Sequence, residues 1–138
     1  IIGKCSPNSL ANEIRQIAPP NVTFICESPS FEELAHYIRK SAFVLAPYCP
    51  DSVLSSGILM DSLSFGSKII GPEVGSFKDY AREKRLNVYT FHDYEDIEKT
   101  VACYKTTPIS FEDYRSFLDE NNWKHFGNRI IKLVKSLK

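Results

Sequence analysis

The chain has 138 residues, enough for one domain with one hydrophobic core, and 43% of them are hydrophobic against 25% charged. Seventeen basic residues cancel seventeen acidic ones, which removes the usual electrostatic footprint of a nucleic-acid-binding protein. No apolar run approaches the length that spans a bilayer.

Ile1-Ile2-Gly3-Lys4 reads as the tail of a buried strand, so the chain is expected to be a piece of a longer polypeptide. Ser6-Pro7 predicts a helix start, as cap and first helical residue, with Leu10, Ile14 and Ile17 as its apolar stripe. Pro19-Pro20 ends it, and Asn21 to Cys26 is a short apolar run fit for a buried strand. Ser30-Phe31-Glu32-Glu33 has the form of a capping box, and Phe31, Leu34, Ala35 and Ile38 follow at helical spacing.

Ala42 to Ala46 predicts the next strand. Ser55-Ser56-Gly57 then opens a helix running to Gly66, and Lys68 to Ile70 returns as a strand. Ser76 is the expected cap of a short helix, Asn87 to Phe91 a further strand, and Tyr94, Ile97, Val101 and Tyr104 a helix stripe. Ser110 begins a helix carrying Phe111, Tyr114, Phe117 and Leu118. The last helix is expected to bury Trp123, Phe126, Ile130, Leu133, Val134 and Leu137.

Short strands that are apolar on both faces and alternate with helices argue an α/β fold, a parallel Rossmann-like sheet flanked by helices. Ligands of such folds bind beyond the carboxyl ends of the strands. The loops from Gly3 to Ser6, Glu27 to Ser30, Pro47 to Leu54 and Gly71 to Ser76 are therefore the ones to watch.

Ser55, Ser56 and Gly57 offer hydroxyls, free backbone N–H groups and a residue without a side chain, a place suited to a diphosphate. Read alone, the same three residues are a serine-capped helix with a tight opening turn. Their position at the central strand-to-helix turn of a parallel sheet favours the anion. Asp61 lies a turn further on among Leu59, Met60 and Leu63, where a partly buried carboxylate needs partners and ribose hydroxyls would serve. Lys4 follows the glycine of the first strand-to-helix turn and could meet phosphate, or be a solvated lysine. Cys5, Cys26, Cys49 and Cys103 show no metal-ligand spacing and read as small, buried, reduced thiols of a cytoplasmic chain. No serine or cysteine stands at a motif spacing from a histidine, and there is no Gly-x-Gly-x-x-Gly or P-loop.

Taken in order, these segments resemble the C-terminal, nucleotide-sugar-binding domain of the group-1 retaining glycosyltransferases, which have two Rossmann-like domains. Asn21-Val22-Thr23-Phe24-Ile25-Cys26 matches an "N-V-x-F-x-G" strand, and Glu32-Glu33-Leu34-Ala35-His36-Tyr37 an "E-E-L-x-x-Y" helix. Phe43 to Pro47 matches a strand ending in proline. Leu59 to Ile70 aligns with "L-L-E-A-M-A-x-G-x-P-V-I", Gly75 with the glycine of a following "G-x-x-E", and Trp123 with a tryptophan that opens the last helix.

The resemblance implies the C-terminal domain of a B-type glycosyltransferase fold. Residues 1–138 would be a single donor-binding domain lacking its first strand-helix unit and the N-terminal acceptor domain, and inactive alone. Ser55, Ser56, Gly57 and Lys4 would hold the donor diphosphate, Asp61 the ribose, and the loop at Glu27 and Ser28 the nucleobase. The family's two donor-contacting glutamates stand at Glu-x7-Glu spacing; Asp61 takes the second position and Val53 falls at the first. The scheme needs no cofactor and no metal, with a nucleoside diphosphate sugar as co-substrate. It implies a glycan or lipid-linked acceptor held through the missing domain, and leaves room for peripheral membrane association of the full protein. A non-catalytic nucleotide-sugar or protein-binding module of the same fold, and a sugar-nucleotide epimerase, stand as alternatives.

Overall fold

The computed structural model describes residues 1–49 and 56–137, which form two compact units, one up to Tyr37 and one from Ile38 onward.

In the N-terminal unit, α1 (Asn8–Ile17) and the start of α2 (Phe31–Lys40) accompany a single parallel bridge between Ile2 and Ile25. Ile25 N–H donates to Ile1 O at 2.9 Å and Gly3 N–H to Ile25 O at 3.0 Å. The expected strand over Asn21 to Cys26 is thus reduced to one bridged residue, because Val22 N–H turns back to Pro19 O instead of joining a ladder. Pro7 is the cap of α1 rather than its first residue: its backbone is extended (ψ 168°) and it offers no capping side chain. The α1 stripe also shifts. Ala11 is buried and Ile14 half-buried, while Leu10 and Ile17 are exposed. The capping box forms as expected, with Glu33 N–H donating to Ser30 Oγ (3.2 Å) and Ser30 N–H to Glu33 Oε2 (2.8 Å). These bonds hold the Glu33 carboxyl below its ordinary value.

In the C-terminal unit three parallel strands lie in the order β1 (Val44–Leu45), β2 (Ile69–Pro72), β3 (Val88–Phe91). Ile69 stands between Val44 and Val88, and Ile70 between Leu45 and Tyr89. All four residues of the central β2 are buried, as expected for a strand covered on both faces. α3 (Gly57–Ser64) connects β1 to β2, and α4 (Gly75–Ala81) connects β2 to β3.

One face of the sheet holds the main core: Ala46, Leu59, Leu63, Ile69, Phe77, Leu86 and Val88, with Tyr114 and Phe117 of α6 (Phe111–Glu120) packed against it. Residues alternate across a strand, so Ile70 and Tyr89 face the other way. There Tyr89 stacks on Tyr104 of α5 (Asp96–Tyr104), ring centroids 4.0 Å apart, and burial pushes the Tyr89 phenol up. Gly71 allows a close approach, since a Cβ there would run into the Phe77 ring. The molecule is α/β, a small parallel sheet flanked by helices.

Three further expectations change. Ser76 lies inside α4, whose cap is Val74. Gly75 at φ 51° turns the chain early, so the β2–α4 loop is only Glu73-Val74. Among the cysteines none is buried: Cys5 and Cys26 are half-exposed and Cys49 and Cys103 exposed. Partial burial, then a thiol hydrogen bond with Cys26, push the Cys5 thiol up.

The largest change concerns α7 (Trp123–Ser136), which buries none of its residues. Trp123 is 85% exposed, Phe126 52%, Leu133 58% and Leu137 79%, and Ile130 and Val134 are also exposed. α6 spends Tyr114 and Phe117 on the core, and among the described residues nothing covers the stripe of α7.

Candidate functional site

The site is built where β1 ends and α3 begins. β1 delivers Ala46, which is buried and donates its N–H to Ile70 O at 2.9 Å. Pro47 and Tyr48 then lie at the carboxyl edge of the sheet. Tyr94 O–H donates to Pro47 O at 3.4 Å, and the Tyr94 ring stands 5.5 Å from Phe91, so the ends of β1 and β3 are tied together across β2. The Tyr48 ring lies 6.3 Å from Phe77 beneath it.

Ser56 is the cap residue of α3, with an extended backbone (φ −138°, ψ 120°). Its hydroxyl does not turn back on the helix. It donates instead toward the Tyr48 hydroxyl at 3.5 Å, a long and weak contact. Gly57 is the first helical residue and is exposed; a Cβ built there meets nothing within 4 Å. Among the described residues, then, nothing obstructs Gly57, and Ser56 leaves the backbone N–H groups of the opening turn uncapped.

The body of α3 is anchored by Leu59, Ser62 and Leu63, all buried, while Asp61 is half-buried and Met60 exposed. Among the described residues the Asp61 carboxylate has no hydrogen-bond or ion-pair partner. Ser62 Oγ and Ser76 Oγ are buried and likewise unpartnered there.

Of the sequence candidates, Ser56, Gly57 and Asp61 fall together on α3. Ser55 and Val53 lie outside the described residues. Lys4, Glu27 and Ser28 belong to the N-terminal unit and are exposed. Tyr48 and Tyr94 were missed as site residues. Tyr48 carries a readable signal, an aromatic directly after a strand that ends in proline. Tyr94 looked like the first residue of a helix stripe, but α5 starts only at Asp96 and the Tyr94 side chain is exposed.

A cleft of about 500 Å³ opens at the opposite edge, around the amino end of β3, lined by Arg85, Asn87, Tyr89, Thr107 and Asp113 among others. Its main cation is already engaged: Arg85 meets Glu83 and Glu120, each at 2.9 Å. Size alone does not make it the functional site, because its polar groups pair with one another rather than converge on an empty point. Tyr89 O–H, for example, donates to Asn87 Oδ1 at 3.1 Å. The described residues contain no His, Cys, Asp or Glu cluster able to hold a metal ion, and no helix long and apolar enough to cross a membrane. No family model, curated protein or solved structure matches the chain.

Proposed function

We propose that this chain contains the donor-binding region of a glycosyltransferase, taking a nucleoside diphosphate sugar at the opening turn of α3. The observation that carries this reading is the pairing of Gly57 with a half-buried Asp61 one turn further along the same helix, Gly57 unobstructed and the Asp61 carboxylate unpartnered among the described residues. Backbone N–H groups and the positive end of the helix dipole suit a diphosphate. Asp61 suits the ribose hydroxyls, which would supply the donors that a partly buried carboxylate needs.

On this reading the protein acts by positioning the donor and stabilising charge on the departing diphosphate. Gly57 lets the phosphates approach the backbone closely, and the Ser56 hydroxyl swings from its weak contact with Tyr48 to donate to them. Tyr48, 39% exposed at the same edge, offers a ring face to the sugar or base. The B-type glycosyltransferase fold, and transfer to a glycan or lipid-linked acceptor, are parts of the same proposal. Valine at position 53, where the resemblance expects a carboxylate, favours a second reading: binding of the nucleotide sugar without transfer.

Calorimetric titration of uridine and guanosine diphosphates tests the site. Asp61→Ala is expected to weaken the preferred nucleotide about tenfold, near 1.4 kcal/mol. Gly57→Ala is expected to weaken it by a similar factor without lowering the urea midpoint, because among the described residues the added methyl meets nothing within 4 Å. Equal affinity in the natural chain and both variants removes the site.

A further inference from the structure

We infer that α7 is a membrane-surface helix that lies flat on a bilayer carrying anionic lipid. At about 100° per residue, Trp123, Phe126, Ile130, Leu133, Val134 and Leu137 fall in one stripe about 100° wide. All six are exposed, Trp123 and Leu137 at 85% and 79%. A stripe of this kind on a soluble surface marks an interaction site rather than scattered apolar residues. Trp123 and Phe126 form an edge-to-face pair at its leading end, centroids 5.6 Å apart.

The rest of the helix says what covers the stripe. Its polar face carries Lys124, Arg129, Lys132 and Lys135 and no acidic residue, although the whole chain is electrically neutral. Measured from the middle of the stripe, Arg129 stands about 90° away on one side, Lys124 about 130° away on the other beyond the exposed Ile131, and Lys132 and Lys135 each about 150° away on the far face. This is the arrangement in which long basic side chains reach outward to lipid headgroups while the apolar side sinks into the acyl boundary. An apolar protein groove would need the stripe alone; the cations point to an anionic surface. Fourteen residues of helix measure about 21 Å, too short to cross a bilayer. The helix therefore lies in the plane of the surface. This inference is independent of the nucleotide site.

Trp123 is the only tryptophan, so its emission reads α7 directly. The full chain is mixed with vesicles of phosphatidylcholine alone, or with about a third of it replaced by phosphatidylglycerol. A blue shift and co-flotation are expected with the anionic vesicles only. The double variant Lys132→Gln/Lys135→Gln is expected to weaken partitioning about 25-fold, from roughly 1 kcal/mol per lost cation. Phe126→Ser/Leu133→Ser is expected to abolish the shift. No residue of α7 is buried, so the variants leave the core intact, and their urea midpoints are measured alongside as a check. The inference is overturned by an unchanged emission with anionic vesicles, or by an equal shift with neutral ones. A lipid-free blue shift that grows with protein concentration, together with a doubled mass, also overturns it and assigns the stripe to a second copy of the chain.

Discussion

The Lys68 ammonium donates to the backbone carbonyl of Tyr104 at 2.7 Å and to that of Lys105 at 2.9 Å, so a cation rooted beside β2 closes the carboxyl end of α5. Lys68 is only 5% exposed, and burial pulls its ammonium below the ordinary lysine value. What keeps it charged is the negative end of the helix dipole and two orphan carbonyls. The Phe43 ring, 5.3 Å away, adds a cation–π contact.

Lys68→Met keeps most of the volume and removes both bonds. It is expected to lower stability by about 2 kcal/mol, the scale of hydrogen bonds made by a charged group. A shift in the urea midpoint at constant slope checks it.

Glu83 carries the acid dependence. Hydrogen bonds from the Arg85 side chain and backbone bring its carboxyl from about 4.5 down to about 2. A carboxyl lowered in the folded state contributes stability that is complete above its unfolded value and is lost as pH falls toward the folded one. The urea midpoint should therefore fall between about pH 4.5 and 2. In Glu83→Gln the midpoint should start lower at neutral pH, with a shallower acid limb. Identical acid limbs in the two proteins would falsify the assignment.

Gly71 and Phe77 are coupled. Phe77 is fully buried, and a methyl at Gly71 would meet its ring. Gly71→Ala is expected to cost about 1–3 kcal/mol through overpacking. Phe77→Leu makes room, so the double variant should be more stable than the sum of the two single losses predicts. Strict additivity in a double-mutant cycle would place the strain elsewhere.

The sequence was most legible where the signal is local. Ser30 and Ser110 cap their helices as read, Ser110 Oγ accepting from Asp113 N–H at 3.1 Å, because a capping serine and its target amide are three residues apart. The strand-helix alternation around Ile69 was also visible, since a strand covered on both faces is apolar throughout. Ser76 misled because Gly75 supplies a left-handed turn that starts the helix sooner. Trp123 and its stripe misled for a different reason. Periodicity shows that a helix has one apolar face, not what that face meets. At the site, the Ser56-Gly57 helix start was legible from residue type. The approach of Tyr94 to Pro47 was not, because it joins two loops 47 residues apart in sequence.

A 14-residue helix with no buried residue is held by its own backbone bonds, its Asn122 cap and the contacts of His125 and Arg129 with the Glu120 carbonyl. Such a segment is marginal in water. Its amides should exchange with solvent deuterium through local fraying, orders of magnitude faster than those of β2, which open only when the sheet does. The unit from Ile38 onward then carries two tiers of cooperativity: a core that unfolds as one, and α7, whose protection is set by whatever occupies its apolar side.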